Sequence, residues 1–164
     1  MHQKITPNLW FDTEAEEAAD FYTSVFKDSR IVTKTHYTEG APREAGMVMT
    51  VEWELDGQRF VGINGGPQFK FDEAVSFQIT CEDQDEVDYY WERLSEGGSE
   101  GQCGWLKDKF GLSWQVVPTG IEEVFADPDP KRAERAMQAM LGMGKLDIAA
   151  LRCAADGVAT TSGT

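Results

Sequence analysis

One pattern occurs twice in this chain and limits what it can fold into. Ile5 to Phe11 alternates, with Ile5, Pro7, Leu9 and Phe11 in one row and Thr6, Asn8 and Trp10 in the other. Period-two alternation of this kind marks a strand with one apolar and one mixed face. Pro7 cannot donate to a ladder, which puts the strand at an edge or paired on one side. Ala15, Ala18, Ala19, Tyr22, Val25 and Phe26 follow at helical spacing. Thr13 and Glu16 have the spacing of a capping box, and Glu14, Glu16 and Glu17 suit the positive end of a helix dipole. Strands are then expected from Arg30 to Thr38, Met47 to Leu55 and Gln58 to Asn64. The turn Asp56-Gly57 joins the last two, and Gly65-Gly66-Pro67 ends the series.

The same order then returns. Val75, Phe77, Ile79 and Cys81 alternate with Ser76, Gln78 and Thr80. Asp83 and Glu86 repeat the capping spacing, Val87, Tyr90, Trp91 and Leu94 carry the helical stripe, and Gly97-Gly98 stops it. Short strands are expected around Gln102 to Leu106 and Leu112 to Val117. Ile5 falls on Val75, Leu9 on Ile79, Phe11 on Cys81, Ala18 on Val87 and Tyr22 on Trp91, a weak internal repeat in which pattern, caps and order agree. The expected fold class is α+β, two βαβββ modules with helices after them. Residues 1–120 hold the paired modules (about 1–70 and 71–120), 121–156 a helical extension and 157–164 a flexible tail. In the extension, Asp129-Pro130 is an N-cap followed by proline at the first helical position, and a second helix spans Lys145 to Ala155. Such helices must pack on the sheet or on a second subunit, because they cannot bury an apolar face alone.

Gly101 to Pro118, GQCGWLKDKFGLSWQVVP, carries the densest signal. Two apolar runs flank the turn Lys107-Asp108-Lys109-Phe110-Gly111, where Gly111 can take positive φ. The three charges of this turn are expected to be solvated. In the returning strand Leu112, Trp114 and Val116 face one way, and Ser113, Gln115 and Val117 the other.

A net charge of -14 disfavours nucleic acid or an anionic membrane as partner. No run is long and apolar enough to span a bilayer, and the N-terminus lacks the apolar stretch of a signal peptide. Cys81, Cys103 and Cys153 form no C-x-x-C pair, which points to reduced thiols and a cytoplasmic location.

Taken in order, TPNLWFDTEAEEAADFYTSVF, FVGINGGPQFKFDEAVSF, CEDQDEVDYYWERLSEGG and GQCGWLKDKFGLSWQVVP resemble the PhnB-like family of the vicinal oxygen chelate superfamily. That superfamily includes glyoxalase I, bleomycin-resistance proteins and extradiol dioxygenases, and the PhnB-like family goes under the name 3-demethylubiquinone-9 3-methyltransferase. The likeness runs from about Ile5 to Asp147. It implies that each module curls into a half-closed sheet, that the concave faces form a cup, and that the protein is a homodimer. It also implies that metal-dependent relatives place His or Glu on the first strand of each module and Glu near the last.

The residues of this chain depart from that ligand set. The concave rows offer Thr6, Asn8 and Trp10, then Ser76, Gln78 and Thr80, with Gln115 at the carboxylate position and Gly62 and Asn64 on the fourth strand. Amides and hydroxyls are poor ligands for a divalent transition metal beside imidazole or carboxylate. His2 and His36 have no partner at ligand spacing, so no metal and no cofactor is expected. The expected ligand-binding residues are Asn8, Trp10, Asn64, Gln78, Ser113 and Gln115, neutral hydrogen-bonding groups beside aromatic surface. The competing reading has these amides satisfy one another in a closed polar core. Trp53, Trp105 and Trp114 are read as core or interface packing, and Phe69 and Phe71 as a lid or as packing on the sheet edge. The expected function is binding of a small molecule in the cup without metal, with turnover left open. The alternatives are a metal-dependent lyase or dioxygenase, a sequestering resistance-type protein, and a methyltransferase. Gly65-Gly66-Pro67 is the sole candidate for a methyl-donor loop, and the next residues, Gln68 to Asp72, do not read as a helix start.

Overall fold

The computed structural model describes residues 4–158; His2 and the last six residues of the expected tail lie outside them. The chain divides into two compact units, Met1–Phe71 and Asp72–Thr164. The first unit runs β1 (Asn8–Phe11), α1 (Ala15–Val25), β2 (Ser29–His36), β3 (Val48–Leu55) and β4 (Gln58–Asn64). The second opens with β5 (Ser76–Cys81), α2 (Gln84–Ser95), β6 (Ser99–Glu100), β7 (Trp105–Lys107) and β8 (Ser113–Pro118). It continues with α3 (Ile121–Phe125), α4 (Pro130–Leu141) and α5 (Ile148–Asp156). Each βαβββ module forms one mixed sheet, in the orders β1-β4-β3-β2 and β5-β8-β7-β6. The first strand of each module pairs parallel to its last strand. This is the glyoxalase/bleomycin resistance-like fold. As Pro7 implied, β1 lies at an edge of its sheet.

In the first unit α1 covers one face of the sheet. Its Ala15, Ala18, Ala19, Tyr22 and Val25 are buried, as are Leu9, Phe11, Val51, Trp53 and Phe60. Trp53 stacks between Tyr22 and Phe60, with centroids at 5.9 and 6.0 Å. Gly62 makes room for it: a Cβ there would lie 2.8 Å from the Trp53 ring and 3.0 Å from Ala15 Cβ. The β3–β4 turn is the expected two-residue hairpin, with Asp56 and Gly57 both at positive φ (46° and 75°) as a primed turn requires.

The expected Thr13–Glu16 capping box does not form. Glu14 occupies the N-cap without a side-chain cap bond. Instead Asn64 Oδ1, from the end of β4, accepts the Ala15 N–H at 2.9 Å, while Asn64 Nδ2 donates to Val48 O at 3.0 Å. A helix start has N–H groups without intrahelical partners, and any well-placed acceptor will serve. In the second unit the expected cap does form, with Asp83 Oδ1 accepting Glu86 N–H at 2.9 Å.

The turn before β8 overturns a second expectation. Asp108 is not solvated; it is 2% exposed. Its Oδ1 accepts from Phe110 N (2.9 Å) and Leu112 N (3.1 Å), and its Oδ2 from the indole N–H of Trp114 (2.8 Å). The carboxylate is buried because it organises the hairpin from inside, a job no adjacent hydroxyl could do with two oxygens at once.

The late helices pack on the second unit itself. Ile121, Leu146 and Leu151 form a buried cluster lined by Val117, Phe125, Ala139, Met140 and Met143. Gln84 bridges α2 to the start of α5, donating to Leu146 O (3.1 Å) and accepting from Ile148 N (3.0 Å). The Cys103 and Gly104 N–H groups donate to Met143 O and Gly144 O, both at 2.8 Å. Asp129 caps α4 as expected, accepting from Lys131 N at 3.0 Å. α3, only five residues long, carried no sequence signal of its own.

Burial, and then the negative charges of Glu86 and Asp83, push the Cys81 thiol up to about 12. At pH 8 it is protonated as well as inaccessible, so it lacks the thiolate that attacks thiol reagents. Cys103 and Cys153 are partly exposed. Brief treatment of native protein with iodoacetamide, followed by peptide mapping, is expected to label Cys103 and Cys153 and to leave Cys81 unmodified until the chain is unfolded.

Candidate functional site

The strand registers fix which side chains share a face. In the first unit Asn8 pairs with Val61, Trp10 with Ile63, and Phe11 with Asn64. Asn64 therefore lies on the α1 side with Phe11, opposite to Asn8 and Trp10, and is 1% exposed. Its expected place in the concave row is corrected: the row on the helix-free face of β4 is Val61 and Ile63. Alternation could not choose between the rows, because Phe60, Val61 and Ile63 are all apolar. Both ends of the Asn64 amide are spent on α1 and β3.

Asn8 is exposed and its Nδ2 donates to Thr6 O at 3.0 Å. Trp10 is half-buried and pinned. Its Nε1–H donates to Gly66 O at 2.8 Å, and its ring meets Phe69 edge-on at 5.1 Å. The ring lies so close over Gly65 that a Cβ there would fall 2.1 Å from it. Gly65 and Gly66 both direct their N–H groups to Phe11 O, at 3.0 and 3.3 Å. The glycine loop is thus engaged by β1 and Trp10 through its own backbone. Phe71 packs edge-on against Phe11 at 5.3 Å, and Phe69 remains 64% exposed.

In the second unit Ser76 pairs with Ser113, Gln78 with Gln115 and Thr80 with Val117. Across β7, Lys107 pairs with Ser113 and Trp105 with Gln115. Ser113 and Gln115 therefore share the face opposite α2 with Ser76, Gln78, Trp105 and Lys107. Gln78 is exposed. Gln115 is half-buried and donates from Nε2 to Ser76 Oγ at 2.8 Å. Ser113 is completely buried, and its hydroxyl has no hydrogen-bond partner among the described residues.

Ser113 also lines a cavity of about 220 Å³ together with Ser99, Gly101, Trp105, Lys107 and Glu73. Lys107 Nζ pairs with Glu73 Oε1 at 2.5 Å, and this contact holds the Glu73 carboxyl below the usual carboxylate range. Of the three indoles read as core or interface packing, Trp53 and Trp114 are core, whereas Trp105 is half-buried and forms a wall of this cavity. Composition did not separate the three indoles; only the β7–β8 register puts Trp105 beside Gln115. Lys107 and Glu73 were missed as site residues because a lysine in a charged turn and a glutamate in a loop carry no distinguishing local signal.

The donor set does not suit a transition metal. Register-matched positions on the first and last strands are Asn8 with Val61, and Gln78 with Gln115. Glu52 sits next to Val61 on β3 but lies 3.7 Å from Arg59 Nη1. His36 is exposed at the end of β2. Among the described residues no group of three or more His, Cys, Asp or Glu is placed to hold a metal ion.

The family model described as 3-demethylubiquinone-9 3-methyltransferase matches residues 3–117. The chain belongs to this family. It is a PhnB-like protein. The PhnB protein from Bacillus cereus is 37% identical, over 71% of this chain and 100% of that one, with a TM-score of 0.66. Protein PA1353 from Pseudomonas aeruginosa, 18% identical over 71% of this chain and 98% of its own, shares the fold at a TM-score of 0.59. So does the fosfomycin resistance protein FosX from Listeria monocytogenes, 12% identical over 75% of this chain and 98% of its own, at 0.52. No curated protein matches. The stretch matched by the PhnB-like model ends before α3, so the helical extension lies beyond it. No helix among the described residues is long and apolar enough to cross a membrane.

Proposed function

We propose that this PhnB-like protein binds a small organic molecule without a metal, on the face of its second sheet opposite α2. The observation that carries the reading is Ser113. A fully buried hydroxyl with no partner, on the wall of a cavity of about 220 Å³, is a group prepared for an external partner. Gln78 and Gln115 add amides on the neighbouring rung, and Trp105 adds a flat apolar wall. Asn8 and Trp10 remain in the reading as an outlying polar group and an aromatic surface; Asn64 does not, since its amide is consumed. Three free thiols support a reducing, cytoplasmic setting.

The methyltransferase suggested by the family's name draws little support from this chain. The Gly65-Gly66 loop directs both N–H groups to Phe11 O and accepts the Trp10 indole, and the next element is the strand β5 rather than a helix. A melting-temperature screen of a metabolite library tests the proposal. Under mass action a ligand present at about a hundred times its Kd raises stability by about 2.7 kcal/mol, an easily read shift. The expected result is a compound that stabilises the wild type and stabilises Gln115→Leu and Trp105→Ala markedly less. If every stabilising compound acts equally on the variants, or none acts at all, the proposal fails.

A further inference from the structure

The second sheet carries one cross-strand rung of which the small-molecule reading uses only Ser113. Ser99 on β6 pairs with Lys107 on β7, Lys107 with Ser113 on β8, and Ser113 with Ser76 on β5. Side chains opposite one another on a sheet stand close enough to act on one group. Every member of this rung can donate: an ammonium and three hydroxyls. Ser76 Oγ already accepts from Gln115, which leaves its own proton for an acceptor. No strand of the sheet places an acid on this rung. The acid that reaches it is Glu73, from the segment before β5, paired with Lys107. Glu100, also at the cavity, pairs in register with Leu106 on the other face, and its Oε1 accepts the Trp91 indole N–H at 3.1 Å.

We infer that this rung receives the carboxylate of a small aromatic acid, which displaces Glu73 from Lys107, hydrogen-bonds to Ser113 and lays its ring along Trp105. This rests on the small-molecule reading above and names the ligand's class. Glu73 is the protein's own carboxylate in the position the ligand would take. It can leave readily, because its side chain is 63% exposed and that of Lys107 37%, and a pair so exposed is weak and screened by salt. The incoming carboxylate gains what Glu73 has not supplied, a bond to the buried Ser113 hydroxyl. Charge-assisted bonds from Lys and Ser to one carboxylate are the stronger kind. A ring beside the carboxylate meets Trp105, one rung away.

The test titrates benzoate and its neutral isostere benzamide into the full chain, followed by tryptophan fluorescence and calorimetry. The proteins are wild type, Glu73→Gln, Lys107→Met and Ser113→Ala. Removing the internal competitor in Glu73→Gln is expected to tighten benzoate several-fold. Lys107→Met is expected to weaken it about tenfold or more, the scale of one charge-assisted bond, and Ser113→Ala to weaken it to a smaller degree. Benzamide is expected to bind less tightly and to ignore the Glu73 change. Benzamide bound as tightly as benzoate, with neither charge variant altering the balance, would overturn the inference and leave the small-molecule reading standing. Binding of neither compound to the wild type overturns the inference too. The broader reading is then decided by its own melting-temperature screen.

Discussion

Asp108→Ala is expected to destabilise the second unit by about 3–5 kcal/mol, the largest effect of any single polar substitution in this chain. The carboxylate is 2% exposed and accepts from Trp114 Nε1, Phe110 N and Leu112 N. Deleting it leaves a buried indole N–H and two turn N–H groups to find other acceptors, and each buried donor left unpaired costs about 1–3 kcal/mol. Asp108→Asn should fall between wild type and Ala. Its one carbonyl oxygen can still serve the turn, but its NH2 then faces the Trp114 N–H, donor against donor. Guanidinium unfolding followed by tryptophan fluorescence measures both. A loss below about 1 kcal/mol for Asp108→Ala would show that water replaces the carboxylate and that the turn does not depend on it. Because Asp108 sits between Lys107 and the strand carrying Ser113, loss of the turn should also weaken any ligand held by those two residues.

Asn64→Ala is expected to cost about 2–4 kcal/mol in the first unit. One side chain closes the start of α1 at Ala15 and ties the end of β4 to Val48 on β3. The backbone carbonyl of the same residue accepts the Tyr37 hydroxyl at 2.7 Å. Substitution with Asp separates the two roles. A carboxylate still accepts from Ala15 N–H and suits the helix dipole, but it sets an oxygen against Val48 O. Asn64→Asp should therefore recover part of the loss and become less stable than wild type mainly through β3. Equilibrium unfolding of the three proteins, with helix content followed by circular dichroism, gives the comparison. Equal stability of Ala and Asn at position 64 would mean that the cap and the tie contribute nothing net.

These two residues also show how far local patterns reach. The Asp83 cap was legible because its donor, Glu86 N–H, lies three residues away. The cap of α1 was not, because its acceptor comes from Asn64 across 49 residues, while the nearby Thr13–Glu16 spacing satisfied the same rule and was not used. On β8, alternation separated Trp114 and Val116 from Ser113 and Gln115, since one row is apolar and the other carries the polar groups. On β4 it could not, since Phe60, Val61, Ile63 and Gly62 give both rows apolar or small character. Burial of Asp108 was equally hidden: an acid between two lysines reads as a solvated turn until the indole of Trp114 is brought over it.

The sequence by itself determined the order of elements apart from β6 and α3, the repeat, the hairpin at Asp56-Gly57, the capped start of α4 and the family. All of these rest on interactions between residues close along the chain, or on motifs read as strings. Tertiary structure decided the face on which Asn64 lies and the docking of α3, α4 and α5 onto the second unit. It also decided which serine is buried without a partner and the rung that joins Ser99, Lys107, Ser113 and Ser76. The physical reason is register. A shift of one residue between paired strands sends every side chain to the opposite face, and that choice is made by the packing of segments distant in sequence.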